Sequence, residues 1–287
     1  MRSNVTKKQL TIYIFAVTAV LALAIGPGYW HDANTVRVPI LMYHHLSDSG
    51  NPGSVISAEV FESHVKALGD AGYTSISFED LYDYVISGTP LPDRPIILTF
   101  DDGYMSVYDV ALPILKKYDM KATALIIGAF HGESVYKGFD YLPITPHLGD
   151  AEAAEMVASG VFSIQSHSFD MHHYTPYETD SPRTGILRRA GESLDDYIEA
   201  FTADFDIAAA QIENAVGVRP FVYSYPFGRS TRQAERLLKD MGVTVTLTTA
   251  ANANTVVRNS PKSLFGLGRF NVPGDMPAEE LLAMIGN

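Results

Sequence analysis

The chain has 287 residues, enough for one large α/β domain, and no cysteine, so neither a disulfide framework nor a thiolate metal site can exist. Any metal must be held by His, Asp or Glu. With 21 basic against 33 acidic residues the net charge is −12, which repels phosphate backbones and argues against a nucleic-acid partner while leaving a neutral polymer compatible.

The first segment reads as an export signal. "MRSNVTKKQ" supplies Arg2, Lys7 and Lys8, and "LTIYIFAVTAVLALAIGPGYW" follows without a charge until Asp32. As a helix, Leu10 to Ile25 would span about 24 Å, short of a ~30 Å hydrocarbon core and long for a signal-peptide core. Two outcomes stay open: cleavage at "ALA" (22–24), or an uncleaved membrane anchor with Tyr29 and Trp30 at the interface. Both make residues 1–30 a signal or anchor and put residues 31–287 outside the cytoplasm. Without the three N-terminal cations that part carries 18 basic and 33 acidic residues, a net of −15.

Beyond the leader, short apolar or β-branched runs alternate with amphipathic stretches. The runs are "VPILMY" (38–43), "YTSIS" (73–77), "PIILTF" (95–100), "ATALIIG" (122–128), "VFSIQS" (161–166), "FVYSY" (221–225), "VTVTLTT" (243–249) and "LGRFNV" (267–272). Between them, Phe61, Val65 and Leu68 recur at helical spacing after a candidate N-cap, Ser57. Val107, Val110, Ala111, Ile114 and Leu115 do the same, and 195–217 reads as one long helix stopped at Gly217. Such β-α alternation predicts a parallel sheet with outer helices, and eight strands suit a closed or partly closed barrel. Residues 129–150 and 173–194 break the alternation and are expected to rim a site.

The chemistry starts at "IILTFDDGY" (96–104), where Asp101 and Asp102 stand together at the end of a buried strand. Two adjacent carboxylates in a poorly solvated cleft need a shared proton or a bound cation. Asp102 could instead cap the helix starting near Met105. "VFSIQSHSFDMHHY" then crowds His167, His172 and His173 after another strand. One carboxylate with two imidazoles leaves open coordination positions, the layout of a catalytic metal site. His31, His64, His131 and His147 read as structural.

"TFDDGY", "SHSFDMH" and "YSYPFG" together resemble the first three motifs of the NodB-type polysaccharide deacetylases, carbohydrate esterases with a distorted (β/α) barrel. The likeness runs from about Val38 to the C-terminus. His167 and His172 lie five apart where most of the family has four, which is similar to the poly-N-acetylglucosamine deacetylase branch; four would put Met171, a poor ligand, in the site. "VPILMYHHL" and "LGRFNVPG" also resemble that branch. The resemblance implies metal-dependent removal of N-acetyl groups from an N-acetylglucosamine polymer. Asp101 would be the general base, and Asp102, His167 and His172 would hold a divalent metal, zinc with cobalt or nickel as alternatives. His173 is the rival ligand. The Phe227 N–H would hold the oxyanion, with Gly228 permitting close approach. The family's late Leu-x-His-Asp motif is missing, which leaves His44 as the candidate acid, unless His44 and His45 are a packed pair. Arg269 is expected either to orient Asp101 through a bidentate pair or to form an unrelated ion pair.

Three other classes compete. A glycoside hydrolase needs carboxylates from separate positions on either side of the bond. An iron oxygenase with a two-histidine, one-carboxylate triad has no need of a second aspartate. A non-catalytic envelope protein that binds glycan would not need the base position kept intact.

Overall fold

The computed structural model describes residues 34–136, 139–173 and 183–286. Residues 1–30, expected to be a signal or anchor, lie outside them. Among the described residues no helix is long and apolar enough to cross a membrane. Met1–Val36 and Arg37–Asn287 are separate units, and the architecture below is that of the second.

All eight expected apolar runs contain strands: β1 (Ile40–Tyr43), β2 (Thr74–Ser75), β3 (Pro95–Phe100), β4 (Ala122–Ile126), β5 (Phe162–Ser166), β6 (Val222–Ser224), β7 (Val245–Leu247) and β8 (Phe270–Asn271). They form one parallel sheet in the order β7-β6-β5-β4-β3-β1-β8, with β2 paired to the start of β3. A parallel bridge between Leu247 and Leu267 joins the sheet's two ends. Thr248 N–H donates to the Leu267 carbonyl at 2.7 Å, and Leu267 N–H to that of Thr246 at 2.9 Å. The sheet is thus curved toward closure, the partly closed barrel that the alternation predicts and the distorted barrel that the resemblance implies. Every residue of β1, β3 and β4 is buried, as expected when both faces of a parallel sheet are covered.

Helices cover the outside. In α1 (Ala58–Asp70) Ser57 caps the N-terminus by accepting the Val60 N–H, and Phe61, Val65 and Leu68 are buried as their spacing predicts. His64, on the same helix, is a structural histidine bonded to the Met276 carbonyl at 2.8 Å. The amphipathic stretch from Val107 departs from a plain helix. Residues Val107–Ala111 form a wider π turn, with Leu112 N–H donating to the Val107 carbonyl, before α2 (Leu112–Lys117) resumes α geometry. Pro113 is the cause: it has no N–H to return to Asp109, and its ring crowds the preceding turn. The long helix α3 (Leu194–Val216) ends at Gly217 in a left-handed cap.

The insertion at 129–150 is stitched back onto the turn after β3. Tyr104 and His147 form an antiparallel bridge. Met105 N–H donates to the Pro146 carbonyl at 2.8 Å and Leu148 N–H to that of Gly103 at 2.9 Å. Gly103 makes this turn possible. Its φ is +84°, and a Cβ there would sit 2.9 Å from Ile126 Cγ2.

Candidate active site

Four strand ends and one buried side chain build the site. Asp101 and Asp102 follow β3, His167 follows β5, His44 follows β1, and the Tyr225–Gly228 turn follows β6. Arg269 arrives differently. Phe270 pairs with Leu41, two residues below the end of β1, so Arg269 starts beneath the barrel rim and must reach upward. Its guanidinium, with no solvent access, donates from Nη1 to Asp101 Oδ1 at 2.5 Å and from Nη2 to Oδ2 at 2.8 Å. The remaining donors reach Ser224 Oγ, the Thr248 carbonyl and Thr99 Oγ1. Burial alone would raise the Asp101 pKa, but the Arg269 charge and the His167 ring outweigh it and hold the carboxyl well below the usual range.

The two aspartates part company through the backbone. Asp102 takes φ +72°, a left-handed conformation that aspartate tolerates better than most residues. Ser168, directly after His167, has φ +75°, and Phe227 has φ +59°. Three non-glycine residues in this region around one centre mark a turn geometry imposed by its surroundings. Gly228 is obligatory beside them, because a Cβ would fall 2.2 Å from Thr249 Oγ1.

Asp102, His167 and His172 each turn one ligand atom toward a common point, all within 4.8 Å of one another. His172 Nε2 lies 3.7 Å from Asp102 Oδ1, and His167 Nε2 lies 3.8 Å from the same atom. Donors ~2.1 Å from a tetrahedral ion are ~3.4 Å apart, so these separations are only slightly wider than a shared divalent ion requires. His167 Nδ1 donates to the Ser224 carbonyl at 2.9 Å, which leaves the Nε2 lone pair facing the cluster. Burial lowers the His167 pKa to about 4, with Asp101 opposing, so the ring is neutral near pH 7, as a ligand must be. Asp101 is not one of these three grouped donors: its Oδ2 lies 3.7 Å from His167 Nε2, but both its oxygens are engaged by Arg269.

His173, the rival ligand, points away and meets Asp170 at 3.0 Å. Phe227 packs its ring on His172, centroids 4.4 Å apart. His45 Nδ1 bonds Ser106 Oγ at 2.8 Å, and its ring lies 5.0 Å from that of Tyr104. His44 Nδ1 is buried with no hydrogen-bond partner among the described residues, and the ring is close enough for its charge to act on Asp101. Asp102 does not cap a helix through its side chain; Ser106 precedes the π turn without a side-chain cap bond.

A family model described as polysaccharide deacetylase matches residues 88–246, more than half of the chain. The chain belongs to the polysaccharide deacetylase family. The matched span takes in Asp101, Asp102, His167, His172 and Phe227, whereas His44 and Arg269 lie outside it. This deacetylase is 28% identical to YxkH of Bacillus subtilis over 252 residues, covering 87% of this chain and 76% of that protein. It is 26% identical to the poly-β-1,6-N-acetyl-D-glucosamine N-deacetylase of Escherichia coli over 191 residues, 61% of this chain but only 28% of that larger protein. Among solved structures a de-N-acetylase from Aggregatibacter actinomycetemcomitans superposes with a TM-score of 0.71 at 23% identity, covering 87% of this chain and all of that one, a likeness of fold.

One positioning residue of the deacetylase escapes the sequence motifs. Asp204, buried on α3, accepts the Phe169 N–H on Oδ2 at 2.9 Å and the Asp170 N–H on Oδ1 at 2.7 Å. It thereby clamps the loop between His167 and His172. The only sequence signal is an acid among Phe201, Phe205 and Ala208 on the buried face of the helix. Burial raises the Asp204 pKa to about 6, with Asp170 adding to the rise while the two backbone N–H groups and Arg183 oppose it.

Substitutions at Arg269 and Asp204 test this geometry. Arg269→Lys keeps the charge but loses the planar fork, and is expected to cost ~1–3 kcal/mol in urea unfolding; Arg269→Met, which strands a buried carboxylate, should cost ~3–5 kcal/mol. A methionine variant within about 1 kcal/mol of wild type would show that the pair matters little. Asp204→Asn can accept only one of the two N–H groups, so hydrogen exchange at the Phe169 or Asp170 amide should quicken. Because the folded pKa of Asp204 exceeds its unfolded value of ~3.9, its favourable contribution is complete below pH ~4 and is lost as pH rises through about 6. Wild type should therefore lose up to ~3 kcal/mol relative to Asp204→Asn between pH ~4 and pH ~8, read from paired unfolding curves.

Proposed function

We propose that this chain removes N-acetyl groups from an N-acetylglucosamine-containing polysaccharide, using a divalent metal held by Asp102, His167 and His172. The observation that carries the reading is the convergence of those three donors beside a carboxylate locked by Arg269, within a family of polysaccharide deacetylases. The polymer class follows from the relatives named for poly-β-1,6-N-acetyl-D-glucosamine. Zinc suits one carboxylate and two imidazoles, and cobalt or nickel fits the same donors.

A bound divalent ion supplies a Lewis acid and lowers the pKa of water at the site. The chain's own groups carry the rest. Arg269 fixes the plane of Asp101, so that Oδ2 accepts the proton of the attacking water. The Phe227 N–H donates to the acetyl oxygen as negative charge builds there. His44, whose Nδ1 has no partner among the described residues, gives a proton to the departing amine. Water and amide are thus converted to acetate and a free amino sugar. The basic and apolar N-terminus supports action outside the cytoplasm, with residues 1–30 as signal peptide or anchor and 31–287 as the catalytic domain.

Incubated with N-acetylglucosamine oligomers, the purified chain should release acetate, stop on chelation and recover with zinc, cobalt or nickel. Asp101→Asn should slow release by about 10²–10⁴-fold. Release indifferent to chelation, or undiminished in that variant, contradicts the mechanism; binding without release favours a non-catalytic glycan protein. The mass of the exported protein decides between a removed and a retained leader.

A further inference from the structure

Residues 183–193, part of the second stretch expected to rim the site, are tied together by a buried carboxylate that the proposed chemistry does not use. The Glu192 side chain is 2% exposed and meets two cations at once. Arg183 donates to it from Nη2 to Oε1 at 2.5 Å and from Nη1 to Oε2 at 3.1 Å. Arg189 donates from Nε to Oε1 at 3.2 Å and from its backbone N–H to Oε2 at 2.9 Å. Arg183 is itself buried, whereas Arg189 is exposed and leaves the surplus positive charge to water. A carboxylate taken out of solvent is tolerated only when its lone pairs are met in this way.

The tie folds a turn against the site. Arg183 Nη1 also donates to the Leu187 carbonyl at 3.0 Å, and the Tyr197 hydroxyl donates to the Ile186 carbonyl at 3.0 Å. Ile186 has no solvent access and belongs to the apolar cluster of Met171, Tyr197 and Tyr225. Gly185, beside it, sits between two loops of the site. Its N–H donates to the carbonyl of His173, the residue after His172, at 2.9 Å. On the other side a Cβ at Gly185 would lie 3.3 Å from Phe227 Cδ2 and 3.3 Å from the Pro226 carbonyl oxygen, and φ there is +55°. Phe227 carries its ring on His172 and is held at φ +59°. A non-glycine residue stays in that region only where its surroundings fix it, and the Gly185 turn is part of those surroundings.

We propose that Glu192 is a positioning residue: through Arg183 it holds the Gly185 turn against Phe227 and His173, and so keeps the oxyanion donor and the His172 loop in place. This rests on the deacetylase reading and extends it to a side chain that touches neither substrate nor metal. A brace on the Phe227 N–H acts on the transition state more than on the bound ground state, so its loss falls on kcat and spares KM. A mere staple of a surface loop changes stability and leaves kcat per folded molecule as it was.

The test follows acetate release from tetrameric N-acetylglucosamine by the zinc-loaded full chain, at a temperature where unfolding curves show each variant folded. Removing one oxyanion donor outright costs about 10²–10³ in kcat, so displacing it in Glu192→Gln should cost about tenfold, with KM within about twofold. Glu192→Asp, which keeps the charge, should recover to within about threefold of wild type. Gly185→Ala leaves the ion pair intact and pushes on Phe227 directly, so it should also lower kcat by about tenfold, and it decides the matter where Glu192→Gln does not fold. Hydrogen exchange at the Gly185 amide should quicken in Glu192→Gln. A kcat within about twofold of wild type in the deciding variant overturns the positioning role. Should wild type release no acetate from any substrate, the deacetylase reading fails and zinc titration judges the brace. A zinc Kd raised about threefold or more in the deciding variant upholds the bracing of His172, and an unchanged Kd sinks it.

Discussion

A guanidinium sealed from solvent holds a carboxylate by both oxygens at the centre of this barrel, and the rest of the site is arranged around that pair. Taking two charges out of water is costly, and their attraction compensates only when the geometry is good and the other donors are satisfied. Here they are: Ser224, Thr248 and Thr99 take what Asp101 leaves of the Arg269 donors. Those partners come from three different strands or their ends, so the pair also ties β3, β6, β7 and the segment entering β8 together beneath the site. Stability and positioning reside in the same contacts, and loosening one loosens the other.

The neighbouring Asp102 is spared this fate by one backbone angle. In an extended strand successive side chains would face opposite ways, but a left-handed residue redirects the chain within a single step. At φ +72° Asp102 faces His167 and His172 instead of the guanidinium, and Gly103 continues the turn where any Cβ would strike Ile126. The same device recurs at Ser168 and Phe227. Strand ends alone do not aim side chains at a point in space; these turns do.

Each feature was readable in the sequence to the extent that its signal is local. The strands were legible because runs buried on both faces must be continuously apolar, and β3 is the plainest example. The donor cluster of Asp102, His167 and His172 was legible because a strand-end loop packs its histidines within seven residues, Asp102 arriving through a motif. Arg269 was visible as a candidate, but its partner is 168 residues away and spacing alone could not choose between orientation and an unrelated ion pair. Asp204 was not legible at all. Its bonds span 34 and 35 residues, to backbone groups that carry no side-chain signature. His147 read as structural because its neighbourhood has no pattern; only the pairing of the insertion back onto Tyr104 brings it beside Asp102. The π turn at Val107 shows the same limit in the backbone, since the periodicity continues through Pro113 while the hydrogen bonds do not.

Three carboxylates thus crowd one end of the barrel, and each is accommodated differently. Asp101 is matched by a fixed guanidinium and stays ionised at every ordinary pH. Asp102 faces two imidazoles, and a cation held among them would carry its compensation. Asp204 has only two peptide dipoles at hydrogen-bond distance, too little to offset burial, so its proton affinity rises. These environments cannot be exchanged. A guanidinium at Asp102 would block the shared ligand position, and a cation at Asp101 would occupy the lone pairs a base needs. An apolar residue at 204 would leave two loop amides without acceptors. The division of roles among chemically identical side chains therefore comes from what each is packed against, and a motif that records only their identities cannot contain it.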